Sequence, residues 1–322
     1  MTPKENLKAF IKGQPYEWKP TNKDLLKFGP EEIYDYVGRG MVNQQDPFPK
    51  EKYGGPGMFG VTWRFEPQVN GSIDVGRVFD DPSEWREKVP FYPLDEIDWD
   101  GIVKRNSSYL NTDKAVSMTI FSGFFERMIA FTSFEDALLA FIDEDEQEDV
   151  LALFDKMSDY YIDLIRHFKK YFALDILTLH DDWGSQRALL FSKDTHKKMV
   201  RPFIEKVAAA CHDMDIIYMQ HSCGFIEDLL PDMIEMGIDT WVGQACNNKR
   251  KLVEMYPQFK FAVSVCPPKG VSDDELMAWL KDELEFYKSK EIWYFNLDAR
   301  GLNDHQKKLA SEYYNAHAAE KG

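Results

Sequence analysis

Ile216-Ile217-Tyr218-Met219-Gln220-His221-Ser222-Cys223-Gly224 is the stretch on which the reading of this chain turns. Two β-branched residues and a tyrosine favour an extended strand, and that strand ends in His-x-Cys-Gly. On a strand, residues two apart point to the same face. His221 and Cys223 can therefore aim an imidazole nitrogen and a thiolate at one point, and both are good zinc ligands. Gly224 lets the backbone turn away without a Cβ penalty, and residues 225–236 read as a helix. A strand that ends in a ligand pair and passes into a helix is where (β/α) folds place their chemistry. The plainer alternative is a buried cysteine beside a hydrogen-bonded histidine, since free cysteine is among the most buried residue types. On these three residues alone the plainer alternative leads.

Outward from this strand the pattern is regular. Strands are predicted at 175–180, 216–223, 238–244, 259–266 and 292–296, with helices at 195–212, 225–236, 248–256 and 273–289 and a last helix to about 320. Strands separated by helices of this length mean βα units and a parallel sheet. Five such units in succession favour a closed (β/α)₈ TIM barrel over an open doubly wound sheet. No Gly-x-Gly-x-x-Gly follows any strand and no Walker loop is present, which counts against a dinucleotide or nucleoside triphosphate fold. Upstream, Thr2-Pro3-Lys4-Glu5 predicts a capped N-terminal helix, and a further helix is expected at 31–37. Asn70-Gly71 is a strong hairpin signal, placing a β-hairpin over 60–78. A short helix at 82–86, a strand at 115–121 and a long helix from the acidic run 143–149 to about 172 follow. The expected architecture is a single α/β domain over 1–322. Residues 1–110 form an N-terminal extension with the hairpin insertion, and 111–322 form most of the barrel.

The 322 residues include 23 Phe, 15 Tyr and 8 Trp, ample material for one large core. A net charge of −16 argues against nucleic acid or anionic lipid as a partner. No apolar run of membrane-spanning length and no secretory pattern occurs. The four cysteines, at 211, 223, 246 and 266, are too scattered for a disulfide framework, which suits a cytoplasmic protein.

In a barrel the strand ends converge on one mouth. They carry His180, Asp181 and Asp182; His221 and Cys223; Gln244 and Cys246; Cys266; and Asn296 and Asp298. His221, Cys223 and Cys266 can supply three ligands of a tetrahedral zinc site with an open fourth position. Cys246 and Asp181 are further candidates. His180, Asp181, Asp182 and Gln244 are the candidate catalytic residues. Cys211 and His212 fall at a helix end and read as structural.

Asp181-Asp182-Trp183-Gly184-Ser185-Gln186, His221-Ser222-Cys223-Gly224, Glu235-Met236-Gly237-Ile238-Asp239 and Gln244 resemble the uroporphyrinogen decarboxylase superfamily. Within it they are most similar to the cobalamin-dependent methyltransferase branch. That branch includes methylcobalamin:coenzyme M methyltransferases and O-demethylase methyltransferases acting on phenyl methyl ethers. The resemblance spans about residues 121–298, and Gly123-Phe124-Phe125-Glu126-Arg127 with the aromatic hairpin resembles the O-demethylase type. It implies a (β/α)₈ barrel, a zinc ion, and methyl transfer to or from a corrinoid carried on a separate protein. His221 and Cys223 carry over as ligands from the His-x-Cys motif. The third ligand of the branch is a Cys near the last strand; residues 292–296 have none, so Cys266, one strand earlier, is inferred in its place. The Arg-rich N-terminal motif of the decarboxylases is absent, Arg39 standing in a different context. An Asp-x-His-x-x-Gly corrinoid motif is also absent, which places the cobalamin on a partner.

The expected function is zinc-dependent methyl transfer from a methoxylated aromatic to cob(I)alamin. Zinc would bind the ether oxygen and improve the phenolate as a leaving group. Phe59, Trp63, Phe125 and Glu126 are expected to bind the substrate. Methyl transfer from methylcobalamin to a thiol, a metal-free decarboxylase-like lyase and a non-enzymatic corrinoid-binding protein are the alternatives. A homodimer is left open.

Overall fold

A computed structural model describes residues 1–68 and 71–321 of the chain. A short strand β1 (Leu25–Lys27) precedes a small antiparallel sheet of β2 (Gly55–Pro56), β3 (Thr62–Glu66) and β4 (Gly71–Asp74). The strands β5 (Ala115–Phe121), β6 (Ile176–His180), β7 (Ile217–Ser222), β8 (Thr240–Gly243), β9 (Phe261–Val265) and β10 (Ile292–Leu297) then alternate with helices. Among the described residues the main sheet has seven strands in the order β1-β5-β6-β7-β8-β9-β10. Every neighbouring pair in it is parallel. The sheet curls back on itself: Thr21 bridges Tyr294 in parallel, and the Tyr294 amide donates to the Pro20 carbonyl at 3.0 Å. This is the expected (β/α)₈ barrel-type fold.

The strand alternation fills the barrel in layers. At the bottom Ala115, Ile176, Ile217, Ala262 and Trp293 pack against Leu7 and Phe10 of the N-terminal helix. That helix, Pro3–Ile11, begins with the expected reciprocal cap between Thr2 and Glu5 and closes the barrel floor. Further along the same inward rows come Ser117 and Thr119 on β5 and Thr178 on β6, and then His180 and His221, which line a cavity. The barrel is therefore apolar and plugged at one end and polar and open at the other.

The long helix Glu144–Phe172 packs its buried Leu153, Phe154, Met157, Tyr161 and Phe168 into the core. The hairpin is present as the β3–β4 pair, with Trp63 opposite Asp74; Asn70 of its turn lies outside the described residues. Three helices differ from expectation. The helix at 195–212 is two, Lys193–Met199 and Arg201–Asp213, because Pro202 lacks the N–H an unbroken helix would need there. Residues 225–236 hold a 3₁₀ turn, Glu227–Leu229, and a short helix, Leu230–Glu235, restarted at Pro231. The helix expected at 31–37 runs Tyr34–Arg39 and stops at Gly40, whose φ of 75° suits only a residue without Cβ. Asp35 on this helix meets Arg127, a fully buried guanidinium, and so ties the extension to the barrel. Among the described residues no helix is long and apolar enough to cross a membrane.

Candidate functional site

Register builds the site. Paired residues on neighbouring parallel strands present their side chains to the same face, and the β6–β7 register pairs His180 with His221. The two imidazoles stack with centroids 4.4 Å apart and planes at 28°. Two residues beyond His221, the Cys223 sulfur lies 3.4 Å from His221 Nε2. The loop leaving β6 brings the Asp182 carboxylate to 3.9 Å from the same Nε2 and accepts the Cys223 amide at 2.6 Å. One ligand atom each of His180, Asp182 and His221 lies within 4.8 Å of the others.

Two loops lock together to hold these groups. Gly224 has φ +80°, and a Cβ on it would stand 1.9 Å from the Gly184 carbonyl oxygen. The Asp-Asp-Trp-Gly and His-x-Cys-Gly segments can therefore touch only as backbone on backbone. The Phe225 amide donates to the Ser185 carbonyl at 2.7 Å, and the Trp183 amide donates to Ser222 Oγ at 3.0 Å.

A carboxylate orients His180 from behind. Glu126 Oε2 lies 2.6 Å from His180 Nδ1, and its other oxygen is 3.8 Å from Arg39 Nη2. Arg39 stacks at 4.6 Å over Trp63 and donates to Ser122 Oγ. With Nδ1 engaged, Nε2 of His180 is the nitrogen left for a ligand or a proton, the usual arrangement behind a metal-bound histidine. Burial opposes charge on His180, yet the Glu126 carboxylate outweighs it and raises the pKa. Burial and then the neighbouring His180 hold His221 well below its ordinary range, in the neutral form that ligates metals. Burial, with Asp182 beside it, pushes the Cys223 thiol up.

The spacing of His221 and Cys223 fits two ligands of a tetrahedral zinc ion. Bonds of about 2.0 Å to nitrogen and 2.3 Å to sulfur place the two donors roughly 3.5 Å apart, close to the 3.4 Å between His221 and Cys223. Next to these donors opens a cavity of about 290 Å³ lined by His180 and His221. Phe28, Tyr36, Phe121 and Phe295 form its aromatic walls, and Lys27, Thr119 and Thr178 its polar part. Another hollow, of about 160 Å³, is lined by residues such as Tyr34, Tyr92 and Tyr160 and touches none of the strand-end donors.

No family model matches the chain, and no curated protein does either. The barrel is shared with a methyltransferase. That structure, described as a methyltransferase from Methanosarcina mazei, superposes with a TM-score of 0.64 over 98% of this chain and 99% of its own, at 15% identity. At that identity the likeness establishes the fold. A glycosylated endo-β-1,4-xylanase from Gloeophyllum trabeum matches with a TM-score of 0.40 at 9% identity, over 62% of this chain and 66% of its own.

The expected site residues divide. His180, Asp182, His221 and Cys223 come together. Cys266 does not join them: its thiol reaches the Ser264 carbonyl at 3.5 Å and lines a separate cavity with Cys246. Asp181 is fully buried and accepts the amides of Phe125 and Glu126 and the Trp183 indole N–H, so it braces the start of the helix Phe125–Phe131. Gln244 accepts the Gly224 amide at 3.0 Å and a Gln186 N–H at 2.9 Å, and so supports the loop. Phe59 is core, packed on Phe91, Phe131 and Tyr160. Phe125 is core as well, against Phe141 and Phe191. Trp63 stands behind Arg39, outside the cavity lining, and Glu126 holds His180. The aromatic walls were missed because all four residues lie outside the hairpin at 60–78 and the segment 123–127. The inward parity of β5 gives Phe121 once the strand is placed. Phe295 follows in the same way from Trp293 on β10, whereas Phe28 carries no local signal.

Proposed function

We propose that this protein is a zinc-dependent methyltransferase that moves a methyl group from a small methoxylated aromatic to the cob(I)alamin of a separate corrinoid protein. The observation that carries this reading is the soft donor pair, Cys223 at 3.4 Å from His221 Nε2, beside an aromatic-walled cavity. The full-length likeness to a methyltransferase fold supports it. His221, Cys223 and one of the neighbouring His180 and Asp182 would hold the zinc, leaving the fourth position open to substrate. Bound there, zinc would supply a Lewis acid for an ether oxygen. Glu126 fixes the orientation of His180 and balances positive charge on it. Phe28, Tyr36, Phe121 and Phe295 offer faces and edges to a flat ring, and the polar groups of Thr119 and Thr178 can orient its substituents.

The test is optical. Zinc-loaded protein is mixed with cob(I)alamin and guaiacol- or veratrole-type ethers, and methylcobalamin is followed by its absorbance. Its formation supports the reading. Failure across the panel, with transfer from methylcobalamin to a thiol instead, reverses the direction and substrate class. Failure of both removes methyl transfer.

A further inference from the structure

The hollow of about 160 Å³ lies between three segments of the chain, and each gives it a tyrosine. Tyr34 opens the helix Tyr34–Arg39, Tyr92 precedes the 3₁₀ turn Leu94–Glu96, and Tyr160 comes from the long helix Glu144–Phe172. The Tyr34 and Tyr92 rings meet at 5.2 Å with their planes at 45°. Tyr160 is fixed from behind by Phe59 and Phe91, at 5.2 and 5.8 Å. Buried Met58 and Leu94 add an apolar part to the lining. The walls are within reach of a ligand: Tyr34 is 43% exposed, and Tyr92 and Tyr160 are half-buried.

Charge decides what can enter. The lining carries two carboxylates, Glu32 and Glu96, and no lysine, arginine or histidine. Arg105, outside the lining, pairs with Glu32, which leaves the exposed Glu96 carboxylate over. Burial raises the Tyr160 hydroxyl above its ordinary range, and Asp35 and Asp163 add to the rise, as a negative surrounding does. The faces of aromatic rings are negative as well and attract a cation that comes within about 6 Å of them. An anion is repelled there, and a bare metal ion would find few oxygen donors among apolar groups. An alkylated ammonium meets both demands, since its positive charge faces the rings and Glu96 while its methyl groups pack on Met58 and Leu94. We propose that this hollow binds a small alkylated ammonium, such as a trimethylammonium head group, with Tyr34, Tyr92 and Tyr160 as its walls and Glu96 as its counter-charge. The inference does not depend on the methyltransferase reading.

The test is calorimetric titration of the full chain with choline and, separately, with its neutral analogue in which a quaternary carbon replaces the nitrogen. Saturable choline binding is expected, at least about threefold tighter than that of the neutral analogue. Tyr34→Leu removes a ring face and should weaken choline at least about threefold, whereas Tyr34→Phe keeps the face and should stay within about twofold. Glu96→Gln should weaken choline about two- to fivefold, as for an exposed charge pair. Glu148→Gln removes the same charge from an exposed position about 18 Å along the long helix from Tyr160. That is beyond the screening length of about 10 Å, so affinity should be unchanged. The two glutamate variants keep the test decisive if Tyr34→Leu fails to fold. Absence of saturable choline binding, equal affinity for the neutral analogue, equal effects of Tyr34→Leu and Tyr34→Phe, or equal effects of the two glutamate variants would overturn the proposal.

Discussion

The imidazole of His180 is set by a contact 54 positions away in sequence, the Glu126 carboxylate at 2.6 Å. Glu126→Gln keeps the shape and removes the charge. It should weaken zinc binding about 10- to 100-fold, as measured by chelator competition, in line with other partners behind ligating histidines. An unchanged affinity would mean that His180 is not a ligand. Elemental analysis separates the cysteines. Cys223→Ser should lose most of the zinc, because a thiolate is the softer ligand, whereas Cys266→Ser should keep it. Only part of this was legible in the sequence. The pair His221 and Cys223 follows from strand parity, which is local. Where Cys266 points depends on how β9 ends and on Lys249 beside it, which no spacing reveals. Phe59 and Phe125 looked like ring-binding residues, but burial decides between a core face and a cavity face, and burial is tertiary.

At the scale of elements, strand alternation and caps were readable, while helix interruptions followed single prolines. Two contacts anchor the N-terminal segments to the barrel. Asp35 on the helix Tyr34–Arg39 pairs with the fully buried Arg127 and also accepts the Met58 amide at 2.7 Å. Asp35→Ala leaves a buried guanidinium uncompensated and should cost about 3–5 kcal/mol in denaturant unfolding. A loss below about 1 kcal/mol would show that the pair is not structural. The floor helix is held by Lys8 and Lys12 on Asp215. Hydrogen bonds from Lys12 and Lys8 lower the Asp215 pKa from 3.8 to about 2. A carboxyl depressed in the folded state adds stability above its unfolded value and loses it as pH falls through its folded one. Asp215→Asn should therefore melt below the wild type at pH 5 and converge with it near pH 2. Melting curves with a constant gap between those values would contradict this.

For the whole molecule, the barrel was legible because five βα units repeat in the C-terminal half. The closure through Thr21 and Tyr294 was not, since it joins the first barrel segment to the last strand across the whole chain. The same closure explains why chemistry collects at one end. Leu7 and Phe10 plug the floor, and the inward rows turn polar only toward the mouth, where His180 and His221 stand. The methyltransferase structure shares this fold at 15% identity, so the scaffold accommodates very different sequences. The proposed zinc ion would be held by one sulfur together with nitrogen and oxygen donors. Zinc-edge X-ray absorption on protein purified without chelator tests it most directly. One zinc per chain is expected, with a single sulfur at about 2.3 Å and the remaining ligands at about 2.0–2.2 Å. No zinc, no sulfur shell, or a shell of two sulfurs would contradict it.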